Sequence, residues 1–88
     1  MKEIEINIGD EFDVRLWEVL RSVIKDLGGQ ICEEKWGIAG SQELESFKLE
    51  LEGSVICIES ETYIGLTVTG DSYLVEKIQR LVTDRMNY

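Results

Sequence analysis

The stretch Phe47-Lys48-Leu49-Glu50-Leu51-Glu52-Gly53-Ser54-Val55-Ile56-Cys57-Ile58 decides the fold of this chain. Its first half alternates apolar and charged residues, the period of a strand with one face buried and the other in water. Glu52-Gly53 has the make-up of a two-residue hairpin turn, and a turn of that length sets Leu51 against Ser54, Leu49 against Ile56 and Phe47 against Ile58. Cross-strand partners share a face, so Phe47, Leu49, Leu51, Ile56 and Ile58 belong to a core, while Glu50, Val55, Cys57 and Glu59 point the other way.

Toward the C-terminus, a three-residue turn over Ser60, Glu61 and Thr62 keeps that parity, predicting Ile58 against Ile64 and Ile56 against Leu66. A two-residue turn would oppose Ile58 to Tyr63 and misalign the core. The strand so begun, Tyr63 to Thr69, stops at Gly70-Asp71, and Asp71 or Ser72 caps a closing helix. The helix stripe is Leu74, Val75, Ile78, Leu81, Val82 and Met86, with Glu76, Lys77, Gln79, Arg80 and Arg85 toward water.

Toward the N-terminus, a polar link at Gly40-Ser41-Gln42-Glu43 follows a strand over residues 30–39. Simple alternation there predicts Cys32, Trp36 and Ile38 on one face and Ile31, Glu33 and Lys35 on the other, with Glu34 intruding on the apolar side. Gly28-Gly29 ends a helix of about five turns whose stripe is Phe12, Leu16, Val19, Leu20, Val23, Ile24 and Leu27. Asp10 stands where its N-cap belongs, with Glu11 and Asp13 close behind at the positive end of the dipole. Before it, Glu3-Ile4-Glu5-Ile6-Asn7-Ile8 alternates strictly up to Gly9, the mark of another half-buried strand.

The element order is therefore β-α-β-β-β-β-α. Neither helix is apolar all round, so both need the same apolar sheet face, which predicts an α+β two-layer sandwich with both helices on one side of a five-stranded antiparallel sheet. Placing the first strand beside the last gives the spatial order 1-5-4-3-2. This succession resembles the half-repeat of TATA-binding-protein-like folds in element order alone. The basic, aromatic-studded concave surface that such folds lay on DNA has no counterpart here, so no residue and no function is carried across.

A chain of 88 residues is expected to form one domain, 1–88, and 43% hydrophobic content without any Pro suits a packed core. Acidic residues outnumber basic ones 18 to 9, for a net charge of −9. Residues 29–70 hold eight of the acids and only two of the bases. That sign repels phosphate, so no nucleic-acid partner is expected. The longest apolar run, Val55 to Ile58, is four residues against the ~20 that cross a bilayer, and the N-terminus does not read as a signal peptide. The expectation is a cytoplasmic protein without a membrane partner, with Cys32 and Cys57 as free thiols.

Candidate chemistry is sparse. With no His, the usual imidazole base and most zinc-ligand sets are gone, and Cys32 and Cys57 lack a partner base. The pairs Glu33-Glu34, Asp10 with Asp13, and Glu59 with Glu61 follow strand or cap spacing and do not follow calcium-loop or phosphate-loop spacing. Thr69-Gly70-Asp71-Ser72 reads as a helix cap, and Trp17 and Trp36 as core or core edge. No catalytic residue, metal or cofactor is expected, and the chain is read as a non-enzyme.

Three functions remain. The first is a protein-interaction or adaptor module, a homodimer among its forms, that uses the open sheet face or an edge strand. The second is an acidic inhibitor or nucleic-acid mimic that blocks a basic site on its partner. The third is a small-ligand binder in the groove between helices and sheet. For the first two, the expected partner surface is Val55, Cys57 and Tyr63 with Glu50 and Glu59 at its margin, because parity sends Val55 and Cys57 outward where a merely solvated sheet would more often carry Thr, Lys or Glu, and Tyr63 is expected close to them.

Overall fold

The computed structural model describes residues 2–10, 12–40 and 42–87; Glu11 and Ser41, named above for the cap and the link, lie outside them. The elements are β1 (Glu3–Gly9), α1 (Val14–Asp26), β2 (Gln30–Ala39), β3 (Gln42–Leu51), β4 (Ser54–Glu61), β5 (Gly65–Asp71) and α2 (Ser72–Met86). The sheet runs β1-β5-β4-β3-β2, antiparallel throughout, with both helices on one face. Fold class, strand order and helix placement are those read from the sequence.

The β3–β4 hairpin is built as its residues dictate. Glu52 at φ 50° and Gly53 at φ 80° both take the left-handed conformation that a twisted two-residue turn requires. Leu51 opposes Ser54, Leu49 opposes Ile56 and Phe47 opposes Ile58, and all of the apolar members are buried. Above this hairpin lie Leu16, Leu20, Val23 and Ile24 of α1 and Leu74, Val75, Ile78 and Val82 of α2, completing one core. α2 packs on β1, β5 and α1, while Trp17 of α1 meets the Phe47 ring edge-on at 5.7 Å over β3.

Three local expectations are corrected. The turn after β4 is Thr62-Tyr63-Ile64, so Ile58 opposes Val68 and Ser60 opposes Leu66. It still has three residues, but it is displaced two along the chain, because β3 begins already at Gln42 and pairs Glu45 with Ser60 and Leu44 with Glu61. Val68 is fully buried in the place expected of Ile64, which is 52% exposed. The Asn7 amide fixes this turn by donating from Nδ2 to the Ile64 carbonyl at 2.8 Å. Gly65 follows at φ 112°, where a Cβ would stand 2.5 Å from the Gly9 carbonyl oxygen.

The first helix is capped by Asp13, whose Oδ1 accepts from the Leu16 N–H at 3.0 Å; Asp10 instead closes a short turn by accepting from the Phe12 N–H. α1 is thus 13 residues long, under four turns, and Phe12 falls outside its stripe. The cap of α2 is Asp71, which accepts from Leu74 N–H.

The third correction bears most on function. A bulge between Ile31 and Glu33 inserts Cys32 into β2 as an extra residue and inverts the alternation before it. Ile31 opposes Leu49, Glu34 opposes Phe47, Trp36 opposes Glu45 and Ile38 opposes Glu43. Ile31 therefore joins Glu34, Trp36 and Ile38 on the helix-facing side, and is not on the open face where simple alternation put it. Cys32 is exposed, with its Sγ 3.6 Å from the Gln30 carbonyl.

Candidate functional site

The open face can be read row by row from the register. One row is Glu5, Thr69, Cys57, Lys48 and Glu33; the next is Asn7, Thr67, Glu59, Ser46 and Lys35. Cys57 lies between Thr69 and Lys48, and Glu59 between Thr67 and Ser46, where a turn over Ser60, Glu61 and Thr62 would set Gly65 against Cys57 and Tyr63 against Glu59. Glu50 and Val55 are cross-strand partners, with Val55 exposed. Tyr63 sits in the β4–β5 turn, at the opposite end of β4 from Val55, and is 79% exposed. The five residues expected to form one patch are thus four along β3 and β4 and one apart from them.

Lys35 and Lys48 both reach Glu33, at 3.2 and 3.4 Å. The Lys35 hydrogen bond and charge, helped by Lys48, hold the Glu33 carboxyl below its ordinary value. Lys35 of β2 and Lys48 of β3 both pair with this one carboxylate, so Glu5, Glu50 and Glu59 set the sign of the open face. The middle of the face, Thr69, Cys57 and Lys48 in one row and Thr67, Glu59 and Ser46 in the next, is mostly polar, so Glu59 stands at its centre and not at its margin.

The other face holds a surface that alternation alone did not find. The helical layer stops short of β2, leaving Ile31, Trp36 and Ile38 exposed by 63%, 61% and 60% on the helix-facing side. Between Ile31 and α1 runs a groove of about 400 Å³, floored by Phe47, Leu49 and Ile58 and walled by Trp17, Leu20 and Ile24; Trp36 and Ile38 lie beyond its lining. Arg21 and Lys25 line its α1 rim and Glu34 its β2 rim. Arg21 also stacks over the Trp17 ring at 5.7 Å, forming a wall between this groove and a second hollow of about 250 Å³ lined by Phe12, Glu43, Glu45, Ser60 and Thr62.

Glu34 stays on the side of Trp36 and Ile38, where alternation also places it; what the bulge brings to that side is Ile31, and no residue type in the sequence marks the insertion. Groove and rims form an amphipathic trough suited to holding an apolar group between opposite charges. Among the described residues no group of three or more His, Cys, Asp or Glu is placed to hold a metal ion, and no helix is long and apolar enough to cross a membrane. Compared with protein-family models, curated proteins and solved structures, the chain matches none.

Proposed function

We propose that this chain is a non-enzymatic protein-interaction module whose recognition surface is the uncovered side of β2 with the adjoining groove. The observation that carries the reading is the row Ile31, Trp36 and Ile38, each more than half exposed, with Ile31 lining the apolar trough. Aromatic anchors next to a concave apolar surface are where interface energy concentrates, and Trp leads the residue types found there. An acidic inhibitor that docks a basic site is a second reading, favoured by the carboxylates Glu5, Glu50 and Glu59 on the open face.

Affinity capture from source cells at low and high salt separates the two. Under the first reading, Trp36→Ser with Ile38→Ser abolishes capture of the partner while Glu50→Lys with Glu59→Lys leaves it. Under the second, the charge reversal abolishes it and salt weakens it strongly. A partner retained by both variants overturns both.

A further inference from the structure

We infer that the free edge of β2 accepts an extended basic segment of another protein, which adds a sixth strand and sets Lys or Arg among Glu34, Glu43 and Glu45. This rests on the reading of β2 as the recognition surface and names what it recognises. β2 is ten residues long, ends the sheet, and keeps an unbroken register with β3 from Glu33 to Ala39. Proteins usually blunt such an edge by shortening it or by placing Pro, bulges or several charges along it. Here the bulge sits at one end, the chain has no Pro, and of the seven consecutive residues in unbroken register the charges fall on the first three, Glu33 to Lys35, leaving Trp36 to Ala39 without any. The edge can give main-chain hydrogen bonds to an incoming strand, which is how strand addition gains affinity.

Charge selects the occupant. On the helix-facing side the register makes a checkerboard: Glu34 beside Phe47, Trp36 beside Glu45, Ile38 beside Glu43. No basic residue of β2 or β3 lies on that side, because Lys35 and Lys48 are both on the open face with Glu33; the cations that share the adjoining hollows, Arg21 and Lys25, belong to α1. In an added strand every second residue faces that side, so a segment with Lys or Arg at alternate positions sets all of them among these carboxylates, with their apolar stems over Trp36 and Ile38. A second copy is a poor occupant, since it brings the same Glu34, Glu43 and Glu45 and a further −9 of charge.

The probe is a blocked nine-residue peptide of alternating valine and lysine, titrated into the full chain while β2 amide shifts and Trp fluorescence are followed. The expected result is saturable binding below about 1 mM that weakens with salt. N-methylation of alternate peptide residues in one frame should abolish it and in the other frame spare it, the signature of strand pairing along one edge. Trp36→Ser, and separately Glu34→Lys with Glu45→Lys, should each weaken it about tenfold or more. Absence of binding, equal binding of a valine-glutamate peptide, equal loss in both N-methyl frames, or shifts centred on Glu50 and Glu59 overturns the inference. So does a dimer of the chain alone that Trp36→Ser dissolves. A native partner that needs Trp36 but is not displaced by the peptide sinks the inference and leaves the reading of the surface standing.

Discussion

β1 and β2 are both edge strands of one sheet, yet only β1 is covered. Ile4, Ile6 and Ile8 of β1 pack against the core beneath the helical layer, and the backbone before it is tied by the Ser72 N–H donating to the Lys2 carbonyl at 2.8 Å. On β2, Ile31, Trp36 and Ile38 have the same apolar character and stand in water. The cause is width. Strands repeat every ~4.8 Å and helices every ~8–10 Å, so two helices roof about four strands. With α2 set on β1 and β5, the strand left over is β2. Which edge is covered thus separates the part of the sheet that holds the core from the part proposed for recognition.

The sharpest way to break this contrast is to truncate side chains under and beyond the roof. Leu20→Ala or Ile56→Ala, both fully buried, should cost ~2–5 kcal/mol of unfolding free energy. Trp36→Ser and Ile38→Ser should stay within ~0.5 kcal/mol, because the folded state leaves these side chains mostly wet. Urea unfolding measures both. A loss above ~1.5 kcal/mol at Trp36 would mean that β2 is held by contacts like those of the core.

Two glycines, one in β5 against the β1 edge and one in the β2 edge itself, give the next contrast. At Gly65 a Cβ meets the Gly9 carbonyl and the Asn7 amide, at φ 112°, so Gly65→Ala should destabilise by ~1–3 kcal/mol. At Gly37, in β2, a Cβ meets nothing within 4 Å, and Gly37→Ala should be neutral or stabilise by up to ~1 kcal/mol. Thermal melts that rank the two variants the other way would refute the packing of the β1 edge on the β4–β5 turn.

How legible each part was follows the same line. Strands whose pattern is set by a buried face, β1 and the β3–β4 hairpin, can be read from alternation because a slip of one residue would expose the whole apolar set. The turn at Thr62-Tyr63-Ile64 was placed two residues early, since a shift of two keeps every side chain on its face and alternation cannot see it. What fixes it is the Asn7 amide, 57 residues away from Ile64 in sequence. The bulge at Cys32 was hidden because β2 has no buried face to penalise a wrong parity. The open-face residues Glu50, Val55, Cys57 and Glu59 were legible for the opposite reason, being locked by the hairpin, whereas Tyr63 went with the misplaced turn.

Helix entry offers a smaller test of the same kind. Asp13→Ala removes the acceptor of the Leu16 N–H and should cost ~1 kcal/mol, whereas Asp10→Ala loses only a turn outside the helix and should cost about half as much or less. Equal losses in chemical denaturation would return the cap to Asp10 and lengthen α1.

The smallest expected effect lies on β2 itself and compares its two sides through acid. On the open side, Lys35 and Lys48 depress the pKa of Glu33 below the ordinary 4.5. A carboxylate whose folded pKa lies below its unfolded one stabilises the fold above the unfolded value, and that contribution fades as pH falls through the folded value. Wild type should therefore lead Glu33→Gln by a small margin near neutral pH, and the lead should shrink to nothing once the pH is well below 4.5. Both partners are largely exposed, so salt should shrink the lead as well. Glu34→Gln removes one charge from the same strand on its other side, away from this trio, and serves as the control for general charge repulsion. If urea midpoints measured across that range move in parallel for wild type, Glu33→Gln and Glu34→Gln, the lysine pair does not single out Glu33, and the open face holds more free positive charge than its geometry implies.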